Sequence, residues 1–314
     1  MISPLLPFTG GLRGQAAEIV SILAYHAPAP FGLFCDPFFG GGSVSYEAKR
    51  RGFSVWSNDL AKRSYFPARA LIVNAQPIAP EVVERLIQPH PLEDDFTHEP
   101  RLLATIEGYV LRVSRRVWLN AITDTERYLA MRVFIALVPQ GAFGLIKKTD
   151  TSPSAIEVLD RSRAALADPQ ALVDKFRRVI NAGLFFNGHE HQASIDDAVA
   201  HIAKCGDAGS SVTHIDPPTY GTKQYDNRYW WLDWFVGDKI DEQGRGFAKA
   251  DAIAFSRACV QAAKDIPVVA ITQQEVAYDK KVAFELLEEA GRKTSGYLLK
   301  SNTSNPFFII VGVL

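Results

Sequence analysis

The stretch that most constrains this chain is Val212-Thr213-His214-Ile215-Asp216-Pro217-Pro218-Thr219-Tyr220. Val212, Thr213 and Ile215 favour an extended strand. The two prolines lack an N–H and cannot continue a central ladder. Asp216 is therefore expected at the carboxyl end of a strand, on a stiff turn, with an aromatic ring just beyond. In an open α/β sheet, ligands bind at that edge. A carboxylate, free backbone carbonyls and an aromatic face suit a planar group carrying an amine. The oxygens accept its hydrogens and the ring stacks on its face.

A second strand ends the same way. Phe31-Gly32-Leu33-Phe34-Cys35 runs into Asp36-Pro37-Phe38-Phe39-Gly40-Gly41-Gly42-Ser43. A helix is expected from Val44 to about Arg51-Gly52. Phe53 to Leu60 then reads as another strand that ends on Asp59. A glycine loop after one strand and an acid after the next is a nucleoside-binding order, with Asp59 placed for the two hydroxyls of a ribose. The loop has neither GxxxxGK[ST] nor GxGxxG, which disfavours a nucleotidase loop and a dinucleotide site. Asp36 would repel a pyrophosphate and suits a ligand with a positive centre.

At 314 residues and a net charge of −1, the chain has room for one large or two smaller domains and shows no global nucleic-acid signature. Any such binding needs a local basic surface. Cys35, Cys205 and Cys259 are odd in number and lack CxxC spacing, which argues against a disulfide framework or a zinc site and fits a reducing cytoplasm. His189 and His191 stand two apart without the usual third ligand, so they read as surface polar residues and no metal is expected. No signal peptide and no membrane span are expected.

Pro7 to Gly14 is glycine-rich and precedes an amphipathic helix over Gln15 to Tyr25. It reads either as a flexible end or as a loop whose amides hold a ligand at a helix start. Val73 to Pro80 is a proline-punctuated linker, Glu81 to Ile87 looks helical, and Pro89 to Pro100 reads as a loop. Arg101 to Ile180 is mostly helical and carries thirteen bases against eight acids. These charges read as solvated helix faces or, as a region, as phosphate contacts. Val138 to Lys148, a glycine-rich turn with Lys147 and Lys148 behind it, is the part best suited to a nucleic-acid backbone. After Tyr220, Lys223, Tyr225 and Arg228 could line a cleft, and Trp230, Trp231, Trp234 and Phe235 can pack on one helical face. A buried strand is expected over 267–272, a helix over Lys281 to Ala290, and a closing hairpin over 297–300 and 307–313.

Together these motifs resemble the D12 class of adenine-specific DNA methyltransferases, the Dam-like group with alpha-type motif order. The resemblance covers most of the chain. It implies a Rossmann-like α/β sheet using S-adenosylmethionine, with an inserted mainly helical domain. Residues 1–74 and 186–314 would form the catalytic domain, and 75–185 the target-recognition insert. By the resemblance, Phe8, Thr9, Gly10, Gly11, Asp36, Pro37, Phe38, Gly40, Gly42 and Asp59 would hold the cofactor. Ser194, in Ala193-Ser194-Ile195-Asp196-Asp197, stands where the acid for the cofactor adenine is expected. Asp216, Pro217, Pro218 and Tyr220 would be catalytic, and Lys147, Lys148, Lys223 and Arg228 would touch DNA. Thr219 stands where the family has an aromatic, with Tyr220 next, and Leu12 where a lysine is common. The implied activity is methylation of a flipped-out adenine at N6. Methylation of another nucleic-acid amine, such as cytosine N4 or an RNA base, or a catalytically inactive DNA-binding relative, stays open. Expected partners are DNA and a cognate restriction endonuclease, for a cytoplasmic, nucleoid-associated monomer or weak dimer.

Overall fold

The apolar runs of the sequence become the strands of one seven-stranded sheet. The computed structural model describes residues 2–6, 12–94, 106–141, 144–147, 149–217, 224–238, 249–274, 280–300 and 306–314. The strands are β1 (Leu33–Asp36), β2 (Ser54–Asn58), β3 (Gln140–Gly141), β4 (Gly144–Leu145), β5 (Gln192–Ser194), β6 (Ser210–Ile215), β7 (Val268–Gln274), β8 (Lys293–Leu299) and β9 (Phe307–Val313). The helices are α1 (Ala16–His26), α2 (Ser43–Arg50), α3 (Lys62–Ala68), α4 (Glu81–Leu86), α5 (Gly108–Leu119), α6 (Asp124–Leu137), α7 (Pro153–Ala165), α8 (Pro169–Asn181), α9 (Ala198–Asp207), α10 (Gln224–Phe235), α11 (Lys249–Ala262) and α12 (Lys280–Glu289). A π-helical turn, Arg69–Val73, continues α3.

The sheet order is β5-β2-β1-β6-β7-β9-β8. The first five strands of that order run parallel, and β9 is antiparallel to both β7 and β8. This is the α/β architecture expected from the sequence. The hydrophobic faces follow the two-residue period of a strand. Val268 and Ala270 join Phe34, Val55, Val212 and α1 residues Ile19, Val20 and Leu23 in one core. Val269 and Ile271 join Cys35, Ile215, Phe308 and Ile310 against α9, α11 and α12 in the other. Helices on both faces explain why the central strands are continuous apolar runs.

Residues 5–73, 186–223 and 243–314 group into one compact unit that contains this sheet. Residues 1–4, 74–185 and 224–242 group into a second. These units differ from the sequence boundaries in where residues 1–4, 74 and 224–242 fall. The reason is apolar: α10 contributes Trp231 and Phe235 to a cluster with Trp118 of α5 and Phe134 of α6. Helix α6 starts with a capping box between Thr123 and Glu126, and Ser152 and Asp168 cap α7 and α8 ahead of their N-terminal prolines. Two-residue strands β3 and β4 pair antiparallel within Val138–Lys148, which the sequence shows only as a turn.

His191 differs from its sequence reading. It is buried, accepts the Val55 amide on Nδ1 at 3.1 Å, and sits 2.9 Å from Asn187 Oδ1. Burial lowers its pKa to about 4. The ring closes the β2 edge beyond the short β5, whereas His189 is exposed.

Candidate active site

Strands β1 and β6 are parallel neighbours, and their carboxyl ends bring Asp36 and Asp216 to one edge of the sheet. The chain leaves β1 towards β2 on one side, while β6 lies on the other. This reversal is the crevice where open α/β sheets bind ligands. Burial raises the Asp216 pKa to about 8, and the charge of Asp36 pushes it the same way. Asp36 is only 2% exposed. Burial raises its pKa to about 6, against hydrogen bonds from the Ser45 hydroxyl at 2.6 Å and the Phe38 amide at 3.2 Å. Two carboxylates in one desolvated edge disfavour joint ionisation.

The glycine loop turns tightly after Asp36. Gly42 has φ +75° and starts α2, and its amide donates to the Phe39 carbonyl at 2.7 Å. A Cβ there would overlap the Phe39 ring. Asp59 closes the loop from the β2 end. Its Oδ2 accepts the Gly40 amide at 2.9 Å and its Oδ1 the Ala61 amide at 3.0 Å. Each oxygen keeps a second lone pair, so the half-buried carboxylate can still accept a diol.

Asn58 binds three strand ends together. Its Nδ2 donates to the Asp196 carbonyl at 2.9 Å and lies 3.4 Å from the Pro37 carbonyl. Its Oδ1 accepts the Asp196 amide and the Ser194 hydroxyl, both at 2.8 Å. Ser194 is thus at the expected edge, with its hydroxyl proton given to Asn58. Leu60 and Ile195, just past the neighbouring strands β2 and β5, are 70% and 40% exposed. Together with Asp59 they supply an acid and apolar side chains at the rim, a set that fits a nucleoside.

Two residues that sequence reasoning passed over hold the Asp216 turn. Gln273, buried in β7, donates from Nε2 to the Pro217 carbonyl at 3.3 Å. His214 Nε2 sits 2.9 Å from Thr272 Oγ1, joining β6 to β7 just before the turn. Burial lowers the His214 pKa to about 4. The signal in the sequence was polarity: Thr272-Gln273-Gln274 directly follows the apolar run 268–271.

Pro37 is buried and Phe38 half-buried, its ring edge-on to Phe255 at 5.9 Å. Phe8, Thr9, Gly10, Gly11, Lys148, Pro218, Thr219, Tyr220 and Lys223 lie outside the described residues. Arg228 lies in α10. Lys147 is exposed after β4. Much of the basic excess of the middle region is taken up internally. Arg112, Arg116, Arg161, Arg163, Arg177 and Arg178 pair with nearby acids. Arg132 donates to the Ser3 and Pro4 carbonyls. No helix among the described residues is long and apolar enough to cross a membrane.

Residues 14–152 match the family described as D12 class N6 adenine-specific DNA methyltransferase. The chain is also 27% identical over 250 residues to the Type II methyltransferase M2.HphI of Haemophilus parahaemolyticus. That alignment covers 72% of this chain and 70% of the relative. The chain is thus similar to the D12 class N6 adenine-specific DNA methyltransferases over the span from its first helix to the start of α7.

Proposed function

We propose that this protein is an S-adenosylmethionine-dependent N6-adenine DNA methyltransferase that acts on an adenine rotated out of its duplex. The observation that carries the reading is the Asp216-Pro217 turn. A desolvated carboxylate and a braced backbone carbonyl stand together at the switch point of the sheet, one strand from the glycine loop.

When bound, the cofactor supplies an electrophilic methyl group on a positively charged sulfur. Asp59 would hold its ribose hydroxyls, Leu60 and Ile195 would flank a flat ring, and Asp36 would lend negative charge beneath the loop. An exocyclic adenine amine is a poor nucleophile because its lone pair is delocalised into the ring. Asp216, once ionised, and the Pro217 carbonyl accept its two hydrogens and draw the nitrogen towards a tetrahedral geometry. Fixed acceptors in a desolvated edge need no reorganisation as charge develops. Holding the amine at these two fixed acceptors would provide the rest. Extruding the base costs a few kcal/mol, drawn from DNA binding. Lys147, Lys148, Lys223 and Arg228 are assigned to the DNA, and 75–185 to target recognition. The Type II designation of the relative supports a cognate restriction endonuclease as partner and a cytoplasmic site of action.

The test is transfer of label from the cofactor to mixed duplex DNA, followed by methylome sequencing. Label on adenine N6 is expected, with Asp216→Ala abolishing transfer while cofactor affinity stays within about threefold. Cofactor binding without transfer to adenine in any DNA overturns the reading.

A further inference from the structure

We propose that Cys35, His201 and Cys205 form a binding site for one soft divalent metal ion, with zinc the natural fit. Their ligand atoms all lie within 4.8 Å of one another in the core behind the cofactor edge. All three residues are buried. Zinc bound by two sulfurs at ~2.3 Å and one nitrogen at ~2.1 Å needs ligand separations of roughly 3.5–3.8 Å. Cys205 Sγ already stands 3.5 Å from His201 Nε2. His201 and Cys205 are four apart on α9 and so share a face. Asp197 fixes that helix by accepting the Val199 and Ala200 amides. Cys35 comes from β1, immediately before Asp36.

The hydrogen-bond chain selects the tautomer that a metal requires. Asn58 faces two backbone carbonyls with Nδ2 and a backbone amide with Oδ1, so its side chain has one orientation. The 2.8 Å contact from Ser194 Oγ to Asn58 Oδ1 joins two oxygens and needs a proton. Asn58 Oδ1 has none, so Ser194 donates it. Ser194 Oγ must then accept from His201 Nδ1–H at 3.2 Å. The neutral ring consequently presents a bare Nε2 lone pair to the thiols. The Trp56 carbonyl oxygen lies 3.4 Å from Nε2; it accepts a proton there when the ring is protonated, and on the neutral ring it faces that lone pair with one of its own. A cation in this space satisfies both. A hydrogen-bonded outer group that fixes the far ring nitrogen is the usual support of a metal-bound histidine.

Binding breaks two S–H bonds and forms two metal–sulfur bonds, with no change of oxidation state. Two protons pass to solvent. The ion with two thiolates and a neutral imidazole carries no net charge, which suits a desolvated interior. The ion would tie β1, just ahead of Asp36, to α9, just beyond Ser194.

The test is metal content and cobalt spectroscopy on the full chain. Protein made in zinc-supplemented medium should carry one zinc per chain by elemental analysis. Cobalt(II) should give a thiolate charge-transfer band in the near ultraviolet and the intense visible bands of a tetrahedral site. Apparent affinity should rise at least about a hundredfold per pH unit between pH 6 and 8, as release of the two thiol protons requires. Cys205→Ala should lose the band and weaken binding at least about a hundredfold. Cys259→Ala, a buried cysteine outside the trio, should keep both. Zinc below one-tenth per chain, or equal metal content in Cys205→Ala, overturns the proposal. Should Cys205→Ala not fold, a wild-type cobalt spectrum without the thiolate band overturns it equally. None of these readouts depends on methyl transfer.

Discussion

Asp216 sets the pH response of the proposed reaction. Its carboxyl must be ionised to accept its amine hydrogen, the Pro217 carbonyl taking the other, yet burial holds its pKa at about 8. Below that value the free protein carries the proton and offers a donor where an acceptor is needed. The kcat/KM for methyl transfer to DNA, measured at saturating cofactor, should rise about tenfold per pH unit up to about pH 8 and level off above it. Asp36 contributes to that value through its charge, so Asp36→Asn should move the midpoint down. Burial is the larger cause, which limits the shift to about one unit. A profile flat from pH 6 to 9 would remove Asp216 from the role. Gln273 acts one bond further away. It occupies one lone pair of the Pro217 carbonyl and fixes the plane in which the other points. Gln273→Met keeps the volume and removes the donor. It should cost about tenfold in kcat, while cofactor affinity stays within about twofold. Gln273→Glu should be worse, because it sets an acceptor against an acceptor. Equal losses in kcat, cofactor binding and thermal stability would instead mean a purely structural residue.

Helix α2 carries the contrast at the scale of an element. A glycine with positive φ stands at each end, Gly42 at +75° and Gly52 at +96°. Only the first meets a neighbour, since a Cβ at Gly42 would overlap Phe39 and one at Gly52 has nothing within 4 Å. Gly52→Ala should therefore cost the backbone strain alone, about 1 kcal/mol, with cofactor affinity unchanged. Gly42→Ala adds displacement of Phe39, and with it the loop that Asp59 grips. It should cost about 2 kcal/mol or more by denaturant unfolding and weaken cofactor binding at least about tenfold. Titration calorimetry on both variants checks the pair. Equal cofactor affinities would show that the loop shape does not depend on Gly42. The same helix shows what burial can impose on a base. Lys49 is buried, donates to the Leu71 carbonyl in the π-helical turn at 3.1 Å, and has its pKa lowered by burial to about 8.

At the scale of the molecule, what was legible in the sequence was what local punctuation encodes. Apolar runs stopped by Asp-Pro or by Asn-Asp announced β1, β2 and β6, and with them Asp36, Asp59 and Asp216, while the apolar runs themselves announced β7 and β9. The α11 helix was not legible, because alanines at 250, 252, 254, 258 and 262 leave little apolar contrast and tertiary packing decides its face. The Gln273, His214 and Thr272 contacts, and the Cys35, His201 and Cys205 trio, arise from strand order, which no local spacing encodes. Charge was legible only as a total. Thirteen bases against eight acids in 101–180 suggested a phosphate surface, yet most of the described arginines there are spent on their own acids or on carbonyls. Lys147 is different: it is exposed, and it has no ion-pair partner among the described residues. If it neutralises one phosphate, Lys147→Ala should weaken binding to all duplexes alike and reduce the slope of log K against log salt by about 0.9. Arg177→Ala is the matched control. Arg177 binds Asp174 at 2.7 Å and the Ile78 carbonyl at 3.1 Å, so its loss should lower stability and leave the slope intact. Fluorescence anisotropy across 50–300 mM salt separates the two, and an unchanged slope in Lys147→Ala would move the DNA contact elsewhere on the chain.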